Sequence, residues 1–141
     1  MKKQSWYGVL FALLILFLYI MGTYDIFMML SHNEAYYAGK SYGQPVVDYF
    51  TNYPVFGLVF WVGNLACGLL SPMMYLCRRK NADRVAMASF LCDFVLILWG
   101  AAFRNRLPVL GIRIFCFDLF ILLVTLLFAV FLHCKGEKQL P

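Results

Sequence analysis

Four apolar stretches, each long enough to cross a membrane as a helix, are separated by short polar segments. A bilayer's hydrocarbon is roughly 30 Å thick, which a helix crosses in about 20 residues at ~1.5 Å per residue. Lipid offers no water to bond backbone N–H and C=O groups, so a spanning segment must satisfy them within itself, as a helix does. The first stretch runs from Trp6 to Leu30, interrupted only by Asp25, and the second from Val55 to Leu76 behind a Tyr53-Pro54 start that suits a helix N-terminus. The third runs from Val85 to Phe103 and the fourth from Ile114 to Leu132. Lys2 and Lys3 resemble the start of a signal peptide, but the first block is too long for a signal core and no A-x-A site follows it. The expectation is one domain over 1–141, an all-α membrane protein built as an antiparallel bundle of four transmembrane helices.

Composition agrees. Hydrophobic residues make up 63% of the chain and charged residues 13%, where a soluble domain carries about 25% charge. The net charge of +5 does not imply nucleic acid as a partner, because the basic residues flank apolar blocks, where they set orientation and meet lipid headgroups. Lys2, Lys3, Arg78, Arg79, Lys80, Arg84, Lys135 and Lys138 fall on one side of the four-span scheme, and Lys40, Arg104, Arg106 and Arg113 on the other. The positive-inside rule then puts both termini in the cytoplasm. The only sizeable segment outside lipid is the outer loop, Ser31 to Asn52. It carries Tyr36, Tyr37, Tyr42 and Tyr49, and its Val46, Val47 and Phe50 fit one side of a short helix after Pro45. Such rings are expected at headgroup level, which predicts a loop lying on the bilayer, with a lid over the bundle as the other reading. The link from Cys77 to Arg84 and the one around Pro108 are short enough to force hairpins between successive helices.

Helices in lipid associate through small residues and shared polar contacts. Each span has one face of that kind: Gly8, Ile15, Gly22 and Asp25; Gly57, Trp61, Asn64, Gly68 and Ser71; Ala86, Ser89, Asp93, Leu96 and Gly100; Phe115, Asp118, Leu122, Thr125 and Ala129. Pro72 removes a backbone hydrogen bond from the second helix and predicts a kink there. An ionised Asp at mid-bilayer costs a few kcal/mol on the mildest scale, so each should be paired, hydrated or neutral. Asp25 and Asp118 lie at a depth close to Arg104, Arg106 and Arg113, which predicts an outer ion-pair network, either a clamp on the bundle or part of a binding or proton-linked site. Asp93 sits near the middle of its span with no basic residue at its level. Asn64 and Ser89 are its expected neighbours, and it reads equally as neutral hydrogen-bonded glue or as a proton-coupled site.

Enzymatic signatures are missing. No HExxH, GxSxG, P-loop or GxGxxG occurs. The histidines, His32 and His133, fall on opposite sides of the membrane, so no axial pair for haem is available within it. The five cysteines (Cys67, Cys77, Cys92, Cys116 and Cys134) all lie outside the outer loops and read as soft packing residues. Cys77 and Cys134 near the inner face make a weak metal pair without a CxxC or a histidine pair. No cofactor or metal is implied.

Met21-Gly22-x-x-Asp25 late in the first helix and Tyr53-Pro54 opening the second carry a likeness, extended by Gly63, Gly68, Leu76-Cys77-Arg78-Arg79-Lys80 and Ala82. In these residues the chain resembles a family of small four-helix bacterial inner-membrane proteins of unestablished function, often labelled sugar transporters. The resemblance implies a bacterial inner membrane and four helices, and leaves function open. The residues themselves are read first as a non-enzymatic membrane protein that binds or translocates a small solute. Four short helices leave little room for a private pathway, so oligomerisation, for example as a homodimer, would be needed to line one. The rival is an accessory or assembly subunit of a larger membrane complex, with an immunity-type membrane protein as a third class.

Overall fold

A computed structural model of the protein describes residues 4–137. Lys2, Lys3 and Lys138, counted above for orientation, lie outside them. The described residues form α1 (Trp6–Leu30), α2 (Glu34–Gly39), α3 (Gln44–Phe50), α4 (Val55–Leu76), α5 (Ala82–Phe103) and α6 (Arg106–Glu137). Four of these, α1, α4, α5 and α6, are long and apolar enough to cross a membrane. The protein is therefore an all-α, multi-pass membrane protein. Helices α4 and α5 pack along their length, as do α5 and α6, while α1 closes the bundle mainly against α4.

Local chemistry sets the ends. Ser5 caps α1 by accepting from the Gly8 N–H at 3.2 Å, and Asn33 caps α2 by accepting from Tyr36 N–H at 2.9 Å. Pro45 sits in the first turn of α3, where its missing N–H is not needed. Arg78 and Asn81 both take positive φ, 57° and 66°, to reverse the chain between α4 and α5. Helix α5 starts at Ala82, three residues earlier than hydropathy predicts, because Asp83 in its first turn faces the positive end of the helix dipole. Helix α6 is much longer than the expected Ile114–Leu132. It opens with a turn at Arg106–Leu110, breaks at Gly111 with φ 86° and ψ 166°, and then continues to Glu137. Only glycine adopts that backbone without strain. Helix α4 carries Pro72 without leaving the helical conformation.

Two apolar clusters hold the bundle. The inner and middle one comprises Ala12, Ile15, Tyr19, Ala82, Ala86, Phe128, Ala129 and Leu132 with neighbours from α4. The outer one corrects the expectation of a loop lying on the bilayer. Tyr37, Val46, Tyr49 and Phe50 turn inward and are buried with Met29 and Tyr53, against Trp61 and Trp99. The segment from Ser31 to Asn52 is a cap on one end of the bundle, which we term the outer end. The basic turn Arg78–Lys80 marks the inner end.

Candidate functional site

The polar interior begins at mid-bundle with one side chain from each spanning helix. The Tyr19 hydroxyl, on a residue 2% exposed, donates to Asn64 Oδ1 at 3.1 Å and lies 2.8 Å from Thr125 Oγ1. Ser89 Oγ lies 3.0 Å from that hydroxyl and 2.7 Å from Asn64 Oδ1. Tyr19, from α1, thus ties α4, α5 and α6 at one point, and the three hydroxyls and Asn64 Oδ1 in the knot all have partners. Its ring is seated on Gly68: a Cβ there would stand 2.0 Å from Tyr19 Cε1. Sequence reading missed Tyr19 because it took Gly22 and Asp25 as the polar face of α1. The spacing Ile15, Tyr19, Ile26, all buried, was the available signal.

Moving outward from the knot, Asp93 lies one helical turn beyond Ser89, about 6 Å along α5. It is 8% exposed. Asn64 and Ser89, its expected partners, are beside each other but bond to one another and to Tyr19. Asp93 makes no hydrogen bond or ion pair with any described residue. Asp118 lies two turns outward from Thr125, about 10 Å along α6. Arg106 donates to Asp118 Oδ2 from Nε at 2.9 Å and from Nη2 at 2.8 Å. This pair is the part of the expected network that forms, and Asp93 is within electrostatic reach of both members.

The other predicted partners go elsewhere. Arg104 donates from Nη2 to the Tyr49 carbonyl, and its guanidinium lies 4.8 Å from the Tyr49 ring centroid and 5.5 Å from that of Tyr53. Arg113 is exposed and forms no ion pair among the described residues. Asp25 accepts from the Tyr36 hydroxyl. Burial and the adjacent Asp25 carboxylate push the Tyr36 phenol up from its ordinary value, so it stays a donor at any physiological pH. Two of the four outer basic residues, Arg104 and Arg106, are thus absorbed into internal contacts, which removes the apparent conflict with the positive-inside rule.

Beneath the cap, the hydroxyls of Tyr49 and Tyr53 and Arg104 Nε are buried without a well-formed hydrogen bond among the described residues, although the Tyr49 hydroxyl lies beside the Tyr53 hydroxyl and the Arg106 guanidinium. Tyr49 is 6% exposed and Tyr53 7%. Buried polar groups of this kind are ordinarily satisfied by water or a ligand.

The inner half is different. Ala12, Ile15, Ala86, Phe128 and Ala129 fill it almost without exposure. Lys135 closes the inner end, donating to Ser5 Oγ and to the Tyr75 hydroxyl at 3.3 Å and lying 4.8 Å from the Phe131 centroid. His133 Nδ1 lies 3.1 Å from Asp83 Oδ2 nearby. The five cysteines are free, and no three metal-ligating side chains converge among the described residues. An apolar groove of about 560 Å³ runs along the seam between α1 and α4, lined in part by Ile26, Phe27, Val62, Leu65 and Leu69. No protein-family model matches the chain, and neither does any curated protein or solved structure.

Proposed function

We propose that the protein is a non-enzymatic component of a bacterial inner membrane that takes a small polar solute into the outer half of its bundle. One observation carries this reading: Asp93 is buried without a partner, below an aromatic cap that holds three unsatisfied polar atoms. A chain that used its polar residues only as glue would pair them, as the Tyr19 knot does, because an isolated buried charge is costly. The likeness of Met21-Gly22, Asp25 and Tyr53-Pro54 to small inner-membrane proteins supports the location. The apolar inner half means that a second state, or a second copy, is needed to pass a solute through.

The accessory-subunit reading draws on the groove between α1 and α4, which is apolar and open along the bundle surface. Native mass spectrometry of the gently extracted protein separates the two. A small-molecule adduct on a monomer or dimer, lost in Asp93→Asn, is the expected result. A bare chain seen only in complex with another polypeptide would overturn the solute reading.

Orientation has its own test. Among described residues the inner end holds Arg78, Arg79, Lys80, Arg84 and Lys135, against Lys40, Arg104, Arg106 and Arg113 outside, of which Arg106 is buried in an ion pair. A cytoplasmic reporter fused after Lys80 and a periplasmic reporter placed at Gly43 should both be active. Activity on the opposite side at either point contradicts the assignment.

A further inference from the structure

We infer that Asp93 is a proton-exchange site reached from the outer side by a file of water threaded past Tyr53, Tyr49 and the Arg106–Asp118 pair. The inference rests on the preceding reading of an outward-accessible half and names the species that moves in it. In the state described, the packing beneath the cap admits nothing larger than water, so a solute needs the second state while a proton does not. Ring centroids of Tyr49 and Tyr53 are 6.0 Å apart, Phe50 and Tyr53 5.9 Å, and Tyr53 and Trp61 5.4 Å. Those contacts pack the rings closely under the cap, while two hydroxyls and one guanidinium N–H among them make no well-formed hydrogen bond. Water can bond all three, since it both donates and accepts and needs only a few polar partners.

The file has one natural end. Arg106 holds Asp118 through two bonds, and protonating that carboxylate would remove the charge that strengthens both. Asp93 has no such bond to lose. The titratable and charged groups that act on it are Tyr19 from α1, Cys92 on its own helix, and Arg106 and Asp118 from α6, with Cys67 from α4 beside Tyr19 and Cys92. Arg106 supplies a positive field that tolerates an ionised Asp93 for part of the cycle, and Asp118 opposes it. Protonation forms one Oδ–H bond on Asp93 and returns a neutral water to the file; deprotonation reverses it, with no redox change. Inward transfer stops at the apolar layer of Ile15, Ala86, Phe128 and Ala129, which offers a proton no polar group behind the Tyr19, Asn64, Ser89 and Thr125 knot.

Infrared difference spectroscopy on sealed vesicles with the cap facing the bath tests this directly. A protonated-carboxyl band absent from Asp93→Asn should rise and fall as the bath passes between about pH 5 and 8, the range in which a working carboxyl must change state. It should ignore the pH of the lumen. In D2O, the Tyr49→Phe/Tyr53→Phe variant, which removes the two water-binding hydroxyls and keeps both rings, should slow exchange of that band about tenfold. A band that never responds to the bath, that follows the lumen, or that answers to sodium at fixed pH would overturn the inference. If Asp93→Asn does not fold, sidedness and exchange rate in the wild type and the phenylalanine variant still decide it. A solute adduct in native spectra alongside a silent band would leave the solute reading standing and remove only the proton.

Discussion

Asp118→Ala should lower stability by about 3–5 kcal/mol, the cost of leaving a buried charge without its partner. Arg106 is 7% exposed and directs both of its bonds at one oxygen of Asp118. Alanine removes the acceptor and leaves the guanidinium without its counter-charge in the bundle interior. Arg106→Met on the same background should recover most of the loss, since an apolar side chain of similar length suits the site better than an unpaired cation. Arg113→Ala should recover none, although its place in the sequence makes it an equally good candidate, because it is exposed and unpaired among the described residues. Unfolding free energies in mixed micelles for the four members of the Asp118/Arg106 cycle measure the coupling. Additivity to within about 0.5 kcal/mol would mean the two side chains do not interact in the folded protein.

The contrast between Arg106 and Arg113 shows where sequence reading stops. The four spans were legible because the bilayer imposes a length and an apolar composition that few other constraints counterfeit. Their ends were less so: the expected fourth span opens just after Arg113, and nothing in hydropathy announces the further turn Arg106–Leu110 ahead of the Gly111 break, where Arg106 is buried and paired. On α5 the polar face was fully readable, and Ala86, Ser89, Asp93, Leu96 and Gly100 are all buried. On α1 it was not, because Tyr19 reads as one aromatic among many until Asn64, Ser89 and Thr125 surround it. The cap was misread for the same reason. Tyr37 and Tyr49 look like headgroup rings in isolation, and only the tertiary contact with Met29, Trp61 and Trp99 turns them into protein interior. Length and periodicity are local and survive in a single sequence. The identity of a polar group's partner depends on residues tens of positions away.

Gly68→Ala should destabilise the bundle by at least about 1–3 kcal/mol, the usual cost of overpacking a filled core. Two effects oppose each other. Alanine favours the helix by up to about 1 kcal/mol over glycine. Against that, the added methyl would lie 2.0 to 2.4 Å from three atoms of the Tyr19 ring. That ring cannot swing aside cheaply, because its hydroxyl is held by Asn64, Ser89 and Thr125. The clash therefore wins, and it strains all four helices at once. Gly63→Ala on the same helix is the control: its Cβ would meet Cys92 Sγ at 3.4 Å, an ordinary contact, so the gain in propensity should leave it neutral or more stable. The ring itself can be isolated with two backgrounds. In Tyr19→Phe the hydroxyl is gone but the ring remains, and Gly68→Ala should still cost stability. In Tyr19→Ala the ring is gone, and the same substitution should cost nothing further. Equal stabilities for Gly68→Ala and Gly63→Ala in otherwise wild-type protein would show that Tyr19 does not sit on α4 as described, and the knot at the centre of the bundle would have to be redrawn.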